Sequence, residues 1–76
     1  MNLQQEPAPE PFPVGVVVEM LIDDPTQDYR GGDRGTVLLR DALGDLHIDF
    51  ERGGVGVWSV AEAQAQLRVV EVPTTP

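Results

Sequence analysis

The stretch Leu-His-Ile-Asp-Phe-Glu at residues 46–51 decides the fold class of this chain of 76 residues. Apolar Leu46, Ile48 and Phe50 alternate with polar residues, a two-residue period that is typical of a strand with one face on a core and one in solvent. A glycine pair at residues 53–54 follows, where a turn is expected. The stretch therefore predicts one strand of a sheet that is covered on a single face.

Four further apolar or β-branched runs predict strands on either side of this segment. They cover residues 14–21, 35–40, 55–58 and 67–72. Ser59 and Glu62 match the capping box of a helix start, so a helix of one or two turns is expected before the last strand. A long polar loop, residues 22–34, separates the first two strands, and Gly44 suits the positive φ of the turn after the second strand.

Five short strands cannot cover both faces of a flat sheet, so we expect the sheet to curl into a small barrel. The predicted fold class is all-β, a five-stranded small barrel with a short helical turn before the last strand. Alternation along each strand gives the residues predicted to point inward, which are Val16, Val18, Val37, Leu39, Ile48, Phe50, Val57, Leu67 and Val69.

This order of elements resembles the SH3-like small β-barrel family. The resemblance rests on residues 15–18, 23–25, 32–37, 46–50 and 67–70, and it covers residues 14–72. Small bacterial and phage domains of uncharacterised function look similar, and KOW-type barrels and CarS-type antirepressors are more distant. The resemblance implies an SH3-like barrel and, through the acidic CarS-type proteins, a surface that occupies another protein's DNA-binding face.

Tails are predicted at both ends of the domain. Residues 1–13 carry proline at alternate positions from Pro7 to Pro13, which is typical of a flexible or polyproline II segment, with Phe12 able to fold back onto the domain. Residues 14–72 are expected to form the barrel, and residues 73–76 a second flexible tail. The start of the chain lacks a basic region followed by an apolar run, so we expect no signal peptide, no membrane span and a cytoplasmic location.

Charge is the clearest compositional feature. Thirteen acidic residues oppose five arginines, with no lysine, for a net charge of −8. Such a chain is repelled by nucleic-acid phosphates and by anionic lipids, so direct binding to nucleic acid or membrane is not expected. A protein partner with a basic surface is the natural electrostatic complement. The alternative is that acidity only keeps a small domain soluble.

No catalytic, metal or cofactor site is predicted, and we do not expect an enzyme. The single histidine, His47, shares a strand face with Asp49 and Glu51, which is more typical of a solvated face than of a metal site. Ser59 is explained as a helix cap, and the chain has no cysteine. Turns explain the glycine pairs. These residues do not supply a nucleophile with its base.

The predicted partner-binding residues are four carboxylates and two aromatics: Asp23, Asp24, Asp28, Tyr29, Asp33 and Trp58. The carboxylates could receive arginine or lysine from a partner, with Arg30 or Arg34 as local pairing partners. If Val55 and Val57 point inward, alternation turns Trp58 outward, and exposed tyrosine and tryptophan are enriched at binding hot spots. The alternatives are an ordinary solvated loop, and a Trp58 that covers one end of the barrel or packs under Phe12.

The predicted function is that of a non-catalytic, acidic protein-binding module, a bacterial or phage regulator or inhibitor that engages a basic surface of its partner. One alternative is a DNA-mimicking antirepressor or phage-encoded inhibitor, with carboxylates where phosphates would sit. Another is a structural accessory subunit or a homodimer. The residues that would form its apolar patch, opposite the predicted core, are Val17, Leu21, Leu38, Val70 and Val72.

Overall fold

The fold is an antiparallel five-stranded sheet with one short helix. The computed structural model describes residues 11–26 and 28–73. In chain order the elements are β1 (Val17–Met20), β2 (Arg34–Arg40), β3 (Leu46–Phe50), β4 (Gly54–Trp58), α1 (Val60–Gln66) and β5 (Leu67–Glu71). The sheet order is β4-β3-β2-β1-β5, so the last strand returns beside the first. The all-β prediction is confirmed.

All five strands contribute to one core. Val18, Val37, Ile48, Trp58 and Leu67 come from five different strands and are each at most 3% exposed. In the described part of the chain, however, β4 and β5 do not pair with each other. The sheet is therefore open between its two edge strands, and the predicted closure into a barrel is not confirmed.

The helix begins where its capping box predicts. The Ser59 hydroxyl accepts from the Glu62 N–H at 3.1 Å, and the Glu62 carboxylate accepts from the Ser59 N–H at 3.0 Å. These two bonds satisfy backbone donors that a helix start leaves free. Ala63 is the buried residue of α1, and β5 begins directly after the helix at Leu67.

The first strand is shorter than predicted, because a turn occupies its expected start. Gly15 has a φ of 97°, and the Val16 N–H donates to the Pro13 carbonyl at 3.3 Å. The strand therefore begins only at Val17, although the Gly15 N–H and the Val16 carbonyl already bond to Val37 at 2.8 and 3.0 Å. Phe12, placed in the tail by the sequence, is 5% exposed and belongs to the core. The rest of the predicted tails, residues 1–10 and 74–76, lies outside the described residues.

Three residues predicted to point inward are exposed instead: Leu39 at 45%, Val57 at 46% and Val69 at 37%. For Leu39 the reason is a β-bulge. The pairing of β2 with β3 shifts between Val37 and Leu39, which leaves Leu38 as an extra residue and reverses the alternation after it. Val69 pairs with the buried Val18. Its strand, β5, is at the edge of the sheet, and among the described residues no strand pairs with its other side.

The residues predicted to lie opposite the core do lie outside it. Leu21, Leu38 and Val72 are exposed, and Val17 and Val70 are half-buried. The core instead gains side chains that the alternation argument did not assign to it. These are Phe12, Met20, Tyr29, Trp58 and Ala63.

Candidate functional site

The connection between β1 and β2, residues 21–33, is here called the acidic loop, and several hydrogen bonds join its described residues, 21–26 and 28–33. Asp24 and Tyr29 form an antiparallel bridge, with N–H···O distances of 2.7 and 3.1 Å. The Asp23 carboxylate accepts from the Gly31 N–H at 2.9 Å. At the base of the loop, the Leu21 N–H donates to the Gln66 carbonyl at 2.7 Å. These hydrogen bonds connect the described residues of the loop, 21–26 and 28–33, to one another and to the end of α1.

Tyr29 fastens this loop to the core. Its ring centroid lies 4.8 Å from that of Phe50 and 5.2 Å from that of Trp58, and the latter two are 5.2 Å apart. Tyr29 is 5% exposed and Trp58 is 1% exposed, so the hypothesis that both are exposed is wrong, whereas both alternatives given for Trp58 had it packed against the domain. Burial, with a smaller contribution from the charge of Asp33, raises the pKa of the Tyr29 hydroxyl above its usual value.

The phase of β4 explains this error. Gly56 and Trp58 face inward, while Val55 and Val57 are 57% and 46% exposed. A Cβ on Gly56 would lie 2.6 Å from the Trp58 ring and 2.8 Å from the Tyr29 hydroxyl. Gly56 therefore leaves the space that the two aromatics occupy. The sequence pattern that indicates this arrangement is a glycine two positions before a tryptophan, because Gly56 and Trp58 then share one face of the strand.

Arg52, in the turn between β3 and β4, clamps the second half of the acidic loop through Asp28 and Asp33. Its guanidinium donates to the Asp33 carboxylate at 2.8 Å and to the Asp28 carbonyl at 3.2 Å. Asp33 also accepts from the Arg30 N–H at 3.0 Å. The hydrogen bond from Arg52, then that from the Arg30 backbone, lowers the pKa of Asp33. Asp33 is therefore a structural residue of the loop.

The predicted pairing of the loop aspartates with the Arg30 or Arg34 side chain is replaced by this clamp. Arg34 instead lies 3.7 Å from Glu19. Arg68 donates to the same carboxylate at 2.8 and 3.1 Å, and its hydrogen bond is the main cause that lowers the pKa of Glu19. Within the described residues, Arg34, Arg52 and Arg68 therefore share two carboxylates, Glu19 and Asp33. The sequence as a whole has a net charge of −8, so acidic charge remains in excess.

The structure brings only part of the predicted site together at the surface. Asp23 and Asp28 are exposed, and with Pro25, Tyr29 and Arg30 they line a shallow pocket of about 220 Å³. Asp28 has a φ of 61°, a left-handed conformation that aspartate adopts more readily than most residues. Asp24 lies half-buried beside this pocket and accepts from the Thr26 hydroxyl at 2.6 Å. Trp58, in the core, is separate from this surface.

His47 pairs with Asp41, in the turn between β2 and β3. Its Nε2 lies 2.8 Å from the Asp41 carboxylate, whose other oxygen accepts from the Leu43 and Asp45 N–H groups. Asp41 thus holds the β2–β3 turn, and the hydrogen bond from His47 is the main cause that lowers its pKa. Among the described residues, no group of three or more His, Cys, Asp or Glu side chains could hold a metal ion.

Comparison with known proteins gives no match among protein families, curated proteins or solved structures. Within residues 11–26 and 28–73, no helix has the length and apolar character to cross a membrane.

Proposed function

We propose that this protein is a non-catalytic, acidic protein-binding module whose acidic loop engages a basic surface of a protein partner. The observation that carries the proposal is that hydrogen bonds tie down the described part of the loop while Asp23 and Asp28 remain exposed on it. A surface that is already ordered loses little conformational entropy on binding, so more of its interaction energy appears as affinity.

Each part of the loop supports this role. Tyr29 anchors its middle in the core, the Asp24–Tyr29 bridge closes its tip, and Arg52 holds the Asp28 carbonyl. The pocket between Asp23 and Asp28 is a concave acidic surface on which a partner's arginine or lysine could donate charge-assisted hydrogen bonds. Uncompensated negative charge over the rest of the surface would speed the approach of a basic partner.

We also propose that the sheet is a curled, SH3-like arrangement. The support is that one core receives a residue from every strand, although α1 has only seven residues and cannot cover the inner face of a flat five-stranded sheet. Curling brings that face around the core instead. A regulator or inhibitor built this way would present the acidic loop as a rigid projection. We place it in the cytoplasm, with which a chain without cysteine is compatible.

The test is a titration of the labelled protein with a short oligo-arginine peptide, followed by NMR. The proposal expects the largest shifts at the amides of Asp23, Asp28 and Gly31. It also expects the double variant Asp23→Asn/Asp28→Asn to lose this response. The matched control is Asp49→Asn/Glu71→Gln, which removes the same charge from exposed positions outside the loop. Equal loss in both double variants would mean that only net charge matters, and the proposal would be wrong.

Salt dependence separates this proposal from the DNA-mimic alternative. A mimic would compete with DNA for its partner, and its affinity would fall as steeply with salt as that of DNA itself. A pocket that takes one or two basic side chains should show a shallower dependence. The measurement is the binding of a partner recovered by pull-down, repeated over a salt series with and without competing DNA.

A further inference from the structure

No strand within residues 11–26 and 28–73 pairs with the outer edge of β4. Among the described residues β4 pairs only with β3, through five consecutive residue pairs without a bulge. Natural edge strands usually carry charges, proline or bulges that block pairing with another chain. β4 reads Gly-Val-Gly-Val-Trp and has none of these. The opposite edge strand, β5, contains Arg68 and Glu71, and its pairing with β1 shifts register.

The register shows which backbone groups of β4 face outward. The Glu51 N–H donates to the Arg34 carbonyl, so this position at the end of β3 bonds toward β2. Backbone bonding alternates along an antiparallel strand, so odd-numbered residues of β3 bond to β2 and even-numbered residues bond to β4. The partners of those even-numbered residues are Gly54, Gly56 and Trp58. The N–H and C=O groups of Val55 and Val57 therefore point to the open edge.

The side chains of these two valines are also accessible. Val55 and Val57 are 57% and 46% exposed on the outer face of the sheet. Val57 lies beside His47, which in turn lies beside the exposed Leu39. The strand thus combines free backbone donors and acceptors with exposed β-branched side chains, which is the combination that favours pairing with a further strand.

We propose that β4 pairs antiparallel with β4 of a second copy of this chain, about a two-fold axis at Gly56. In that register Val55 faces Val57 of the second copy, and Val57 faces Val55 of the second copy. Each pair exchanges both of its N–H···O bonds, because these are the groups that point outward, and the valines meet as β-branched cross-strand pairs. The second copy is the favoured occupant because the Val-Gly-Val sequence is symmetric about Gly56.

Charge supports the same choice. A chain with a net charge of −8 has few surfaces on which a copy can approach without carboxylates facing each other. β4 carries no charge, so the contact itself brings no like charges together. Repulsion between the rest of the two molecules remains, and salt screens it over about 10 Å at 0.1 M. The dimer should therefore strengthen with salt, whereas binding of a basic partner at the acidic loop should weaken.

The test is sedimentation equilibrium of the full chain at low and high salt. We expect self-association that increases with salt, and we expect Val57→Lys to weaken it by about tenfold or more, because a charged side chain replaces an apolar contact on the pairing edge. The matched control is Val69→Lys, the same change on β5, which should associate like the unaltered chain. Failure of this test would leave the oligo-arginine result unaffected, since the two surfaces are separate.

Amide hydrogen exchange of the unaltered chain gives a second measurement that does not depend on a variant folding. Dimer formation should slow exchange at the amides of Val55 and Val57 as protein concentration rises, with little change at Val69. A chain that stays monomeric at every salt and protein concentration would overturn the proposal. So would weakening by Val69→Lys with none by Val57→Lys.

Discussion

Arg52 and Asp33 connect the turn between β3 and β4 to the end of the acidic loop. The guanidinium of Arg52 donates to the Asp33 carboxylate at 2.8 Å and at 3.4 Å, across 19 residues of chain. A third bond, to the Asp28 carbonyl, reaches the exposed part of the loop. Arg52, in the turn after β3, therefore helps to hold the described part of the loop that follows β1. Removing that turn's one arginine is the most direct way to loosen the loop.

The variant Arg52→Gln should speed amide exchange in the acidic loop. We expect Gly31 and Asp33 to lose protection while the amides of β3 keep theirs, since only the loop loses its clamp. The pKa of Asp33 should return toward its usual value, because the hydrogen bond from Arg52 is the main cause that lowers it. The control is Arg68→Gln, which removes the same charge from the Glu19 pair. Equal loosening by the two variants would contradict this role.

Gly56 should be nearly irreplaceable. Ala at this position would place its Cβ 2.6 Å from the Trp58 ring, closer than real contacts allow, and 2.8 Å from the Tyr29 hydroxyl. Overpacking of this kind typically destabilises by about 1–3 kcal/mol. Chemical denaturation monitored by the fluorescence of Trp58 measures the change. Gly31→Ala is the control, because the nearest atom to its added Cβ lies at an ordinary 3.6 Å. A Gly56→Ala protein as stable as this control would show that the aromatic cluster is loosely packed.

The same glycine shows what the sequence could and could not predict. Alternation in β3 and the capping box of α1 involve neighbours in the chain, and both predictions are confirmed. The phase of β4 was predicted from its valines, but burying Trp58 removes more apolar surface from water than burying two valines that Gly56 separates. Nothing local indicates the bulge at Leu38 or the reach of Arg52 to the acidic loop.

Stability should fall in alkaline solution through the titration of Tyr29. Burial raises the pKa of its hydroxyl above the ordinary 10.0, so the folded state holds the proton more tightly than the unfolded state does. The sign follows from linkage: this contribution is constant below pH 10 and is lost as the pH rises above the unfolded pKa. Tyr29 is the only tyrosine, so tyrosinate absorbance reports it alone. The variant Tyr29→Phe should remove this alkaline loss, and an unchanged pH profile would contradict the prediction.

Stability should also fall in acid, through carboxylates whose pKa values are lowered in the fold. Glu19, Asp33 and Asp41 each gain a charged or hydrogen-bonding partner. Their contribution is complete above their unfolded pKa values, near 4, and is lost as the pH falls through the lower folded values. For Asp41 the main cause is His47, so His47→Gln should raise the pKa of Asp41 in a carboxyl NMR titration. Glu51→Gln, on the same strand side as His47, should leave it unchanged.

Replacing Arg30 tests the pocket through an expected increase in binding affinity. Arg30 lines the same pocket as Asp23 and Asp28, so its charge opposes a basic group from a partner. Arg30→Gln should strengthen binding of the oligo-arginine peptide by about two- to fivefold, the effect of one exposed charge interaction. The loop should keep its shape, because the hydrogen bond from Arg30 to Asp33 comes from the backbone N–H, which the variant retains. The control is Arg40→Gln, which removes the same charge from the end of β2, away from the pocket lining. If both variants strengthen binding equally, the peptide senses the overall charge of the protein and not the pocket.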